Sequence, residues 1–508
     1  MSRFNLIDEK WIPVRLLNGT RDELGIRATL LQAKEIAAIE DGSPLVVAAL
    51  HRFLLAVLYR ALEGPTDIDQ AKAFFNTGFP GDKIEAYLEK WRDRFWLFDE
   101  RYPFGQIPSF VPKKWRAWPA LAAEHNADNA KVLFDHVDVQ NPGTLAEAIA
   151  VRWLLAAQTF SVGSGKGELS YTSGAPSATA AMVLPSGGNL QDTLLFALVP
   201  QNSEISAGDV PLWEREPESV DDLRKGPKRP AGGLADRYFW RSRTIRMADD
   251  LGEGIKHLAF DSGIRFDSAD AMDPMLAYRE DEKFGILPIR FQERGLWRNF
   301  DSLLPDSSRL APRVIEHATV LAKSEHARFP HVVMVLGLAN DQAKIEFWRM
   351  ERFALPGALA GDRFIRSDFY RFLKTAEETQ GALWSACSLF ARDMINRGDR
   401  DPHKKDVRAF VSQMPCIPWY WSVLEARFHE IVQAYTLEKN PDEIELEWLQ
   451  SVRDVLKGAW DQQTSSVATG DAWAIRAAVK AEGPIRRKLK ELDGKIADFK
   501  KSLGKEDA

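Results

Sequence analysis

VVMVLGLANDQAKIEFW (residues 332–348) reads as two strands joined at a polar tip. Residues 332–338 are nearly all apolar, which suits a buried strand. From Ala343 the pattern alternates: Ala343, Ile345 and Phe347 fall on one face, Lys344, Glu346 and Trp348 on the other. Asn340-Asp341 between the arms predicts a hairpin turn, because both side chains tolerate left-handed backbone angles. Asn340, Asp341 and Gln342 then project into solvent. Locally the tip reads either as an idle surface turn or as an amide-bearing wedge for a nucleic-acid groove, where an amide offers donors and acceptors to base edges.

C-terminal to this hairpin, beyond about residue 361, four long amphipathic patterns occupy residues 367–396, 407–436, 444–464 and 472–500. Short breaks separate them, among them Lys439-Asn440-Pro441 and Thr469-Gly470-Asp471. Four helices with short connections predict an up-down-up-down bundle. On the N-terminal side, residues 4–14 (FNLIDEKWIPV) read as a strand closed by Pro13, and residues 43–63 as a strong helix. Residues 84–98 and 145–160 read as further helices, the first broken by RYPFGQ (101–106) and the second ending in the loop SVGSGKG (161–167). Residues 194–199 look like a strand, 201–233 like a long surface connection, and 237–246 like a strand with one basic face. The fold class expected is α+β: a large mixed α/β domain over residues 1–360, then a four-helix bundle over 361–508.

The chain has 508 residues, enough for two or three domains, and a net charge of −6. A polycation that coats nucleic acid is excluded, so any such binding must come from local patches or partner subunits. Two cysteines, Cys387 and Cys416, exclude a disulfide framework and a Cys-rich zinc cluster. The first residues lack a signal-peptide apolar region, and the apolar run 45–62 is interrupted by His51, Arg52 and Arg60. That run reads as a core helix rather than a membrane span, and a cytoplasmic protein without membrane association is expected.

SVGSGKG invites a phosphate-cradle reading, which fails on three counts. Phe160 stands where the first P-loop glycine belongs, Gly167 stands where the magnesium-binding hydroxyl belongs, and the loop follows a helix rather than a strand. A loop of bare backbone with one cation, Lys166, is left: either a mobile connector or a binding loop. Lys283, inside REDEKF, reads by composition as an ordinary solvated lysine. Arg237, Arg241, Arg243 and Arg246 around Phe239-Trp240 form either a nucleic-acid face or an ion-paired strand. Arg486, Arg487, Lys488 and Lys490 cluster on the last helix, where such a run is usually the wet face. The nine histidines show no metal-site spacing and no nucleophile elbow occurs, so no catalytic residue, metal or cofactor is expected.

Taken in order, these stretches resemble the CasA family, the large subunit of the type I-E CRISPR surveillance complex Cascade. FNLIDEKWIPV resembles that family's opening signature and RYPFGQ its Pro-Phe-x-Gln turn. VLFDH (132–136), the glycine loop, Phe239-Trp240, Lys283, GLANDQA (337–343) and the terminal bundle follow in the family's order. The resemblance implies recognition of a short flanking motif, the PAM, in double-stranded DNA, opening of the duplex, and docking of a helicase-nuclease. The partners implied are guide-RNA-containing subunits, including a small-subunit dimer. By position it assigns the glycine loop to Gly163, Ser164, Gly165 and Lys166, a lysine finger to Lys283, and a glutamine wedge to Gln342, flanked by Asn340 and Ala343. Phe134, Asp135 and His136 would form a further DNA-facing loop.

The implied chemistry is consistent with the residue types. The minor groove carries a degenerate code, suited to accepting several related motifs, and at roughly 6 Å wide it admits bare glycine backbone better than side chains. A lysine can donate to acceptors on its floor, and a wedge can unstack a step at a cost of a few kcal/mol. Guide pairing would offset that opening. Lys166 adds a charge where relatives are richer in glycine, and with both cysteines in the bundle a four-cysteine zinc site is impossible. An unrecognised nuclease or nucleotide hydrolase acting on nucleic acid is the alternative.

Overall fold

A computed structural model describes residues 2–125, 141–163, 165–201, 207–248, 254–267, 272–292, 294–305, 310–323, 328, 332–341, 344–355, 363–397, 401–436, 439–465, 467 and 471–504. It is mixed helix and sheet with a helical C-terminal region. The chain divides into two units: Met1–Leu296 with Pro305–Arg352, and Trp297–Leu304 with Phe353–Ala508.

The first unit is built on the helix Pro44–Leu62, in which every residue but Pro44 and Arg60 is buried. Ser43 starts it by accepting from the Val46 amide, with Pro44 in the first turn where a missing N–H costs nothing. The helices Gly81–Lys90, Glu147–Phe160, Leu190–Ala197 and Leu234–Tyr238 and the strand Val332–Asp341 pack on it. The polar residues that interrupt its apolar run are each satisfied. His51 Nδ1 meets Val47 O at 2.7 Å; Arg60 makes a two-pronged contact with Glu214, which also accepts from Tyr87. Arg52 donates to Asp273 at 2.8 Å, with both side chains 1% exposed, and lies over the Tyr238 ring. Arg237 is the second cation on Asp273, at 3.3 Å. Burial alone would raise the Asp273 carboxyl, but the two guanidiniums hold it below its usual range.

The two signature stretches are struts of this core. Trp11 donates to Leu6 O, and Asn5 bridges the Ile7 amide and Arg92 O. Phe104 of RYPFGQ stacks on Phe239 at 5.1 Å, while Gln106 donates to Leu97 O and accepts from the Met247 amide.

Four sequence expectations are overturned here. Residues 4–14 are not one strand closed by Pro13 but parts of two, Arg3–Asn5 and Ile12–Leu16, with a turn between them and Pro13 inside the second. Residues 194–197 are the end of the helix Leu190–Ala197, capped by the Asn189 side chain, and Leu198-Val199 follow it; because all its faces are buried, it shows no helical periodicity to read. The segment 237–246 is the end of the helix Leu234–Tyr238 followed by the strand Arg243–Met247. Its arginines are not a surface: Arg237, Arg241 and Arg243 are buried, and Arg241 pairs with Glu218. Residues 84–98 are the helix Gly81–Lys90, a 3-10 turn and the strand Trp96–Phe98.

In the second unit, the helix Arg363–Asn396 packs against Lys404–Ser412, Cys416–Thr436, Pro441–Ser465, Ala472–Ala481 and Gly483–Ser502. Pro441–Ser465 packs in turn on Cys416–Thr436 and Gly483–Ser502. The second and fourth expected helices are therefore each two. Pro415 and Pro484 cause the breaks: proline lacks the amide that would continue a helix, but fits the start of the next one. Trp297 and Phe300 join this unit by packing on Trp421, Phe428, Phe369 and Phe353. Arg298 beside them forks onto Glu377 and stacks on Trp421.

Asp273→Asn should destabilise the chain by about 3–5 kcal/mol in urea unfolding, because Arg52 and Arg237 would keep their burial and lose their counter-charge. Burial lowers His51 and His317 to about 4, so both are neutral when folded at neutral pH. Unfolded, each protonates near 6.5. The stability they contribute is complete above that value and is lost as pH falls toward 4, by about 2 kcal/mol per histidine at pH 5. Thermal melts between pH 7.5 and 5 check this; a flat melting temperature would contradict it.

Candidate nucleic-acid interface

The glycine loop leaves the buried C-terminal end of the helix Glu147–Phe160 and returns as a small hairpin. Gly165–Lys166 pairs antiparallel with Tyr171–Thr172, placing Gly165 opposite Thr172 and Lys166 opposite Tyr171. Gly165 has φ +86°, a left-handed value that disfavours side chains, and both Gly165 and Lys166 are exposed. The stem is rigid. Gly167 runs against Asp261, whose carboxylate would lie 2.2 Å from any added Cβ. That carboxylate accepts from the amides of Glu168 and Leu169. Leu169 is buried in a cluster with Phe110 and Trp240. Across the neck, Arg243 donates to Val162 O at 2.6 Å and to Ser173 O at 2.9 Å, clamping the two sides of the hairpin. Burial draws its guanidinium down to about 10, partly countered by Asp261, so it is still charged at neutral pH.

Lys283 lies at the tip of a second hairpin, Tyr278–Asp281 with Gly285–Pro288. The Asp281 carboxylate accepts from the Lys283 and Phe284 amides at 3.0 Å each, and Gly285 closes the turn at φ +72°. Lys283 is exposed, with its ammonium 5.0 Å from the Phe284 ring centroid.

The third element is the hairpin of Val332–Asp341 and Lys344–Ala354, with Met182–Ser186 on the other edge of the first strand. Its first strand is buried from Val333 to Ala339, as its apolar run implies. Asn340 and Asp341, expected to form the turn, are in the strand instead, and neither takes a left-handed angle. Positions 342 and 343 separate the strands; Gln342 and Ala343 lie outside the described residues, as do Ser164, Phe134, Asp135 and His136.

Two of the three elements grow from one root, and the glycine hairpin runs into it along the chain. Met182 pairs with Leu336 on one side and with Leu276 on the other. Val183 donates to Met275 O, Ala181 to Ile289 O, and Ile289 to Ala277 O, so the Lys283 hairpin is tied to the same strand end. The segment leading into that strand comes directly from Thr172 of the glycine hairpin, and Ala175 ties it back to Ser161 O. Gly337 passes so close to Ala180 and Phe291 that a Cβ would clash with both. At ~3.3 Å per residue, the strand beyond Leu336 and the hairpin beyond Ala277 each reach roughly 15–20 Å from the root. Nothing in the sequence pattern marks Asp261 or Asp273, and Arg243 stands out only as one of a basic run; these three hold the root and the glycine neck, each through a partner about 70 or more residues away.

On the last helix, Arg486 pairs with Glu482, and the buried Lys488 with Glu491 and Glu378. Cys387 and Cys416 are buried thiols with their sulfurs 3.4 Å apart. Among the described residues no group of three or more His, Cys, Asp or Glu is placed to hold a metal ion.

The family model for the CRISPR-associated protein Cse1 matches residues 5–459. The CRISPR-associated protein CasA/Cse1 of Thermus thermophilus is 34% identical, over 98% of this chain and 99% of its own. The crystal structure of CasA from Thermus thermophilus superposes with a TM-score of 0.85 at 32% identity, covering 96% of this chain and all of that one. A chain from a structure described as a CRISPR RNA-guided surveillance complex shares the fold, with a TM-score of 0.75 at 18% identity over 97% of this chain and 100% of its own. With its signature stretches in the core and its match running over most of its length, the chain belongs to the CRISPR-associated Cse1 family, also called CasA.

Proposed function

We propose that this chain is the large subunit of a type I-E RNA-guided surveillance complex, and that it recognises the PAM from the minor groove and starts duplex opening. The observation that carries the reading is the shared strand end: two hairpins are tied to it and the glycine hairpin runs into it along the chain, and two of the three carry an exposed lysine at or beside the tip. Family membership and the shared fold with a chain from a surveillance complex support it.

In this reading, backbone at Gly163–Lys166 lies in the groove, where bare peptide fits and side chains would crowd. Lys283 donates to acceptors at the groove floor. Gln342, at the end of a strand seated in the core, enters beneath the last PAM pair and unstacks it, at a cost of a few kcal/mol. The buried strand matters mechanically, because a wedge on a yielding base would bend rather than part base pairs. Guide RNA held by partner subunits then pairs with the opened strand in a nearly balanced exchange. The chain acts by binding rather than catalysis, in the cytoplasm, and offers docking surfaces to the small-subunit dimer and to a helicase-nuclease.

In the assembled complex, Lys283→Ala and Gln342→Ala should each weaken binding to a PAM-bearing duplex about tenfold or more, ~1.4 kcal/mol. Binding to a target already opened at the PAM-proximal end should change much less. Gel-shift titrations of both substrates measure this, and equal losses on the two would remove the finger and wedge roles.

A further inference from the structure

Among the described residues of the first unit, only two aromatic side chains are exposed: Tyr171 at 66% and Phe284 at 65%. Every other described Phe, Tyr and Trp of that unit is buried or half-buried. These two stand beside the two lysines singled out above. Tyr171 is directly opposite Lys166 in the glycine hairpin, so their side chains share one face of the ladder. Phe284 follows Lys283 in its turn, with the ammonium over its ring. Ile286, two residues on, is 52% exposed and widens that apolar tip. Neither ring supports the fold: Phe284 is held through its backbone amide by Asp281, and Tyr171 through its strand pairing. A side chain of that size left in water at a stiff, projecting tip offers apolar area to whatever the tip meets.

We propose that Phe284 and Tyr171 are DNA-contacting residues, whose rings press on the deoxyribose and base edges flanking the PAM while Lys283 and Lys166 supply the charge. This rests on the minor-groove reading of the two lysines. A lysine alone binds phosphate or groove acceptors and is screened by salt. A ring beside it adds contact with sugar and base surfaces that does not depend on counter-ion release, and apolar side chains are what minor-groove proteins press against base steps. The two tips would thus divide the same labour, each with one cation and one ring. No partner protein need be invoked for either exposed ring, and the acidic neighbours Glu280, Asp281 and Glu282 place the lysine and the ring as the groups of that tip suited to a polyanion.

The test uses the assembled complex with a PAM-bearing duplex, with affinity measured across a series of salt concentrations. Phe284→Ala and Tyr171→Ala should each lower affinity about threefold to tenfold while leaving the slope of log K against log salt unchanged. Lys283→Ala should lower both the affinity and the steepness of that slope, by about one unit. Phe284→Trp should retain affinity and Phe284→Ser should not. If Lys283→Ala weakens binding and both ring substitutions leave it intact, the inference falls and the lysine reading stands. If none of the three has any effect, the minor-groove reading itself falls. If a ring substitution instead reduces incorporation of the chain into the complex, with DNA affinity per assembled complex unchanged, that ring is a protein contact and the inference falls. Because both side chains are largely in water, their removal should leave the melting temperature of the chain within about a degree of its original value.

Discussion

Asp273, buried between Arg52 and Arg237, is the constraint on which the first unit depends. An unpaired carboxylate there would be intolerable, and each arginine alone would be as costly. Together they connect three parts of the chain that sequence keeps far apart: the central helix, the short helix before the strand Arg243–Met247, and the segment entering the Lys283 hairpin. The carboxylate also accepts from the Met275 amide, while Met275 O receives the Val183 amide from the strand end where two of the projecting elements are rooted. The charge cluster and the root are therefore two residues apart.

The two lysine-bearing hairpins share one solution: the exposed end is left bare and the stem is braced by side chains bonded to backbone. Arg243 clamps the glycine neck through backbone carbonyls, and Asp261 receives the next amides. Asp281 performs the same service for the Lys283 turn. The long strand is instead enclosed by apolar neighbours from Val333 to Ala339. Backbone acceptors and donors make such braces insensitive to the identity of the residues they hold, so tip residues are free to differ while the stem geometry stays fixed.

What was legible in the sequence follows from this division. Local patterns were readable where one face meets water, in the amphipathic helices after residue 361 and the buried-then-alternating arms of the 332–354 hairpin, and in Pro44–Leu62, buried all round, because its apolar run is too long for a strand. Residues 194–199 misled because a helix buried on all sides has no stripe, and Asn340-Asp341 because turn chemistry is permitted, not required, by those side chains. Prolines 415 and 484 were visible, yet their effect was not, since the apolar spacing carries on across each break. The arginines around Phe239-Trp240 left two readings open, and only long-range partners decided for the interior one. The order of the motifs pointed to the candidate site; the residues that stiffen it were illegible because their significance lies in carbonyls and amides that any sequence carries.

The segment Trp297–Leu304 has a consequence for biosynthesis. It belongs with the helical unit, yet the chain goes back to complete the first unit with Pro305–Arg352 before the main helices begin. On the ribosome, Trp297 and Phe300 emerge well before Phe369, Trp421 and Phe428, the rings they end up packed against. For that interval two large aromatic side chains have no native partner, while the central strand of the unit being finished, Val332–Asp341, is still to arrive. The two units therefore cannot mature strictly one after the other. A fragment cut near residue 360 would begin life with the floor of its aromatic cluster missing, and would present that gap, rather than a closed bundle, to chaperones and to its neighbours.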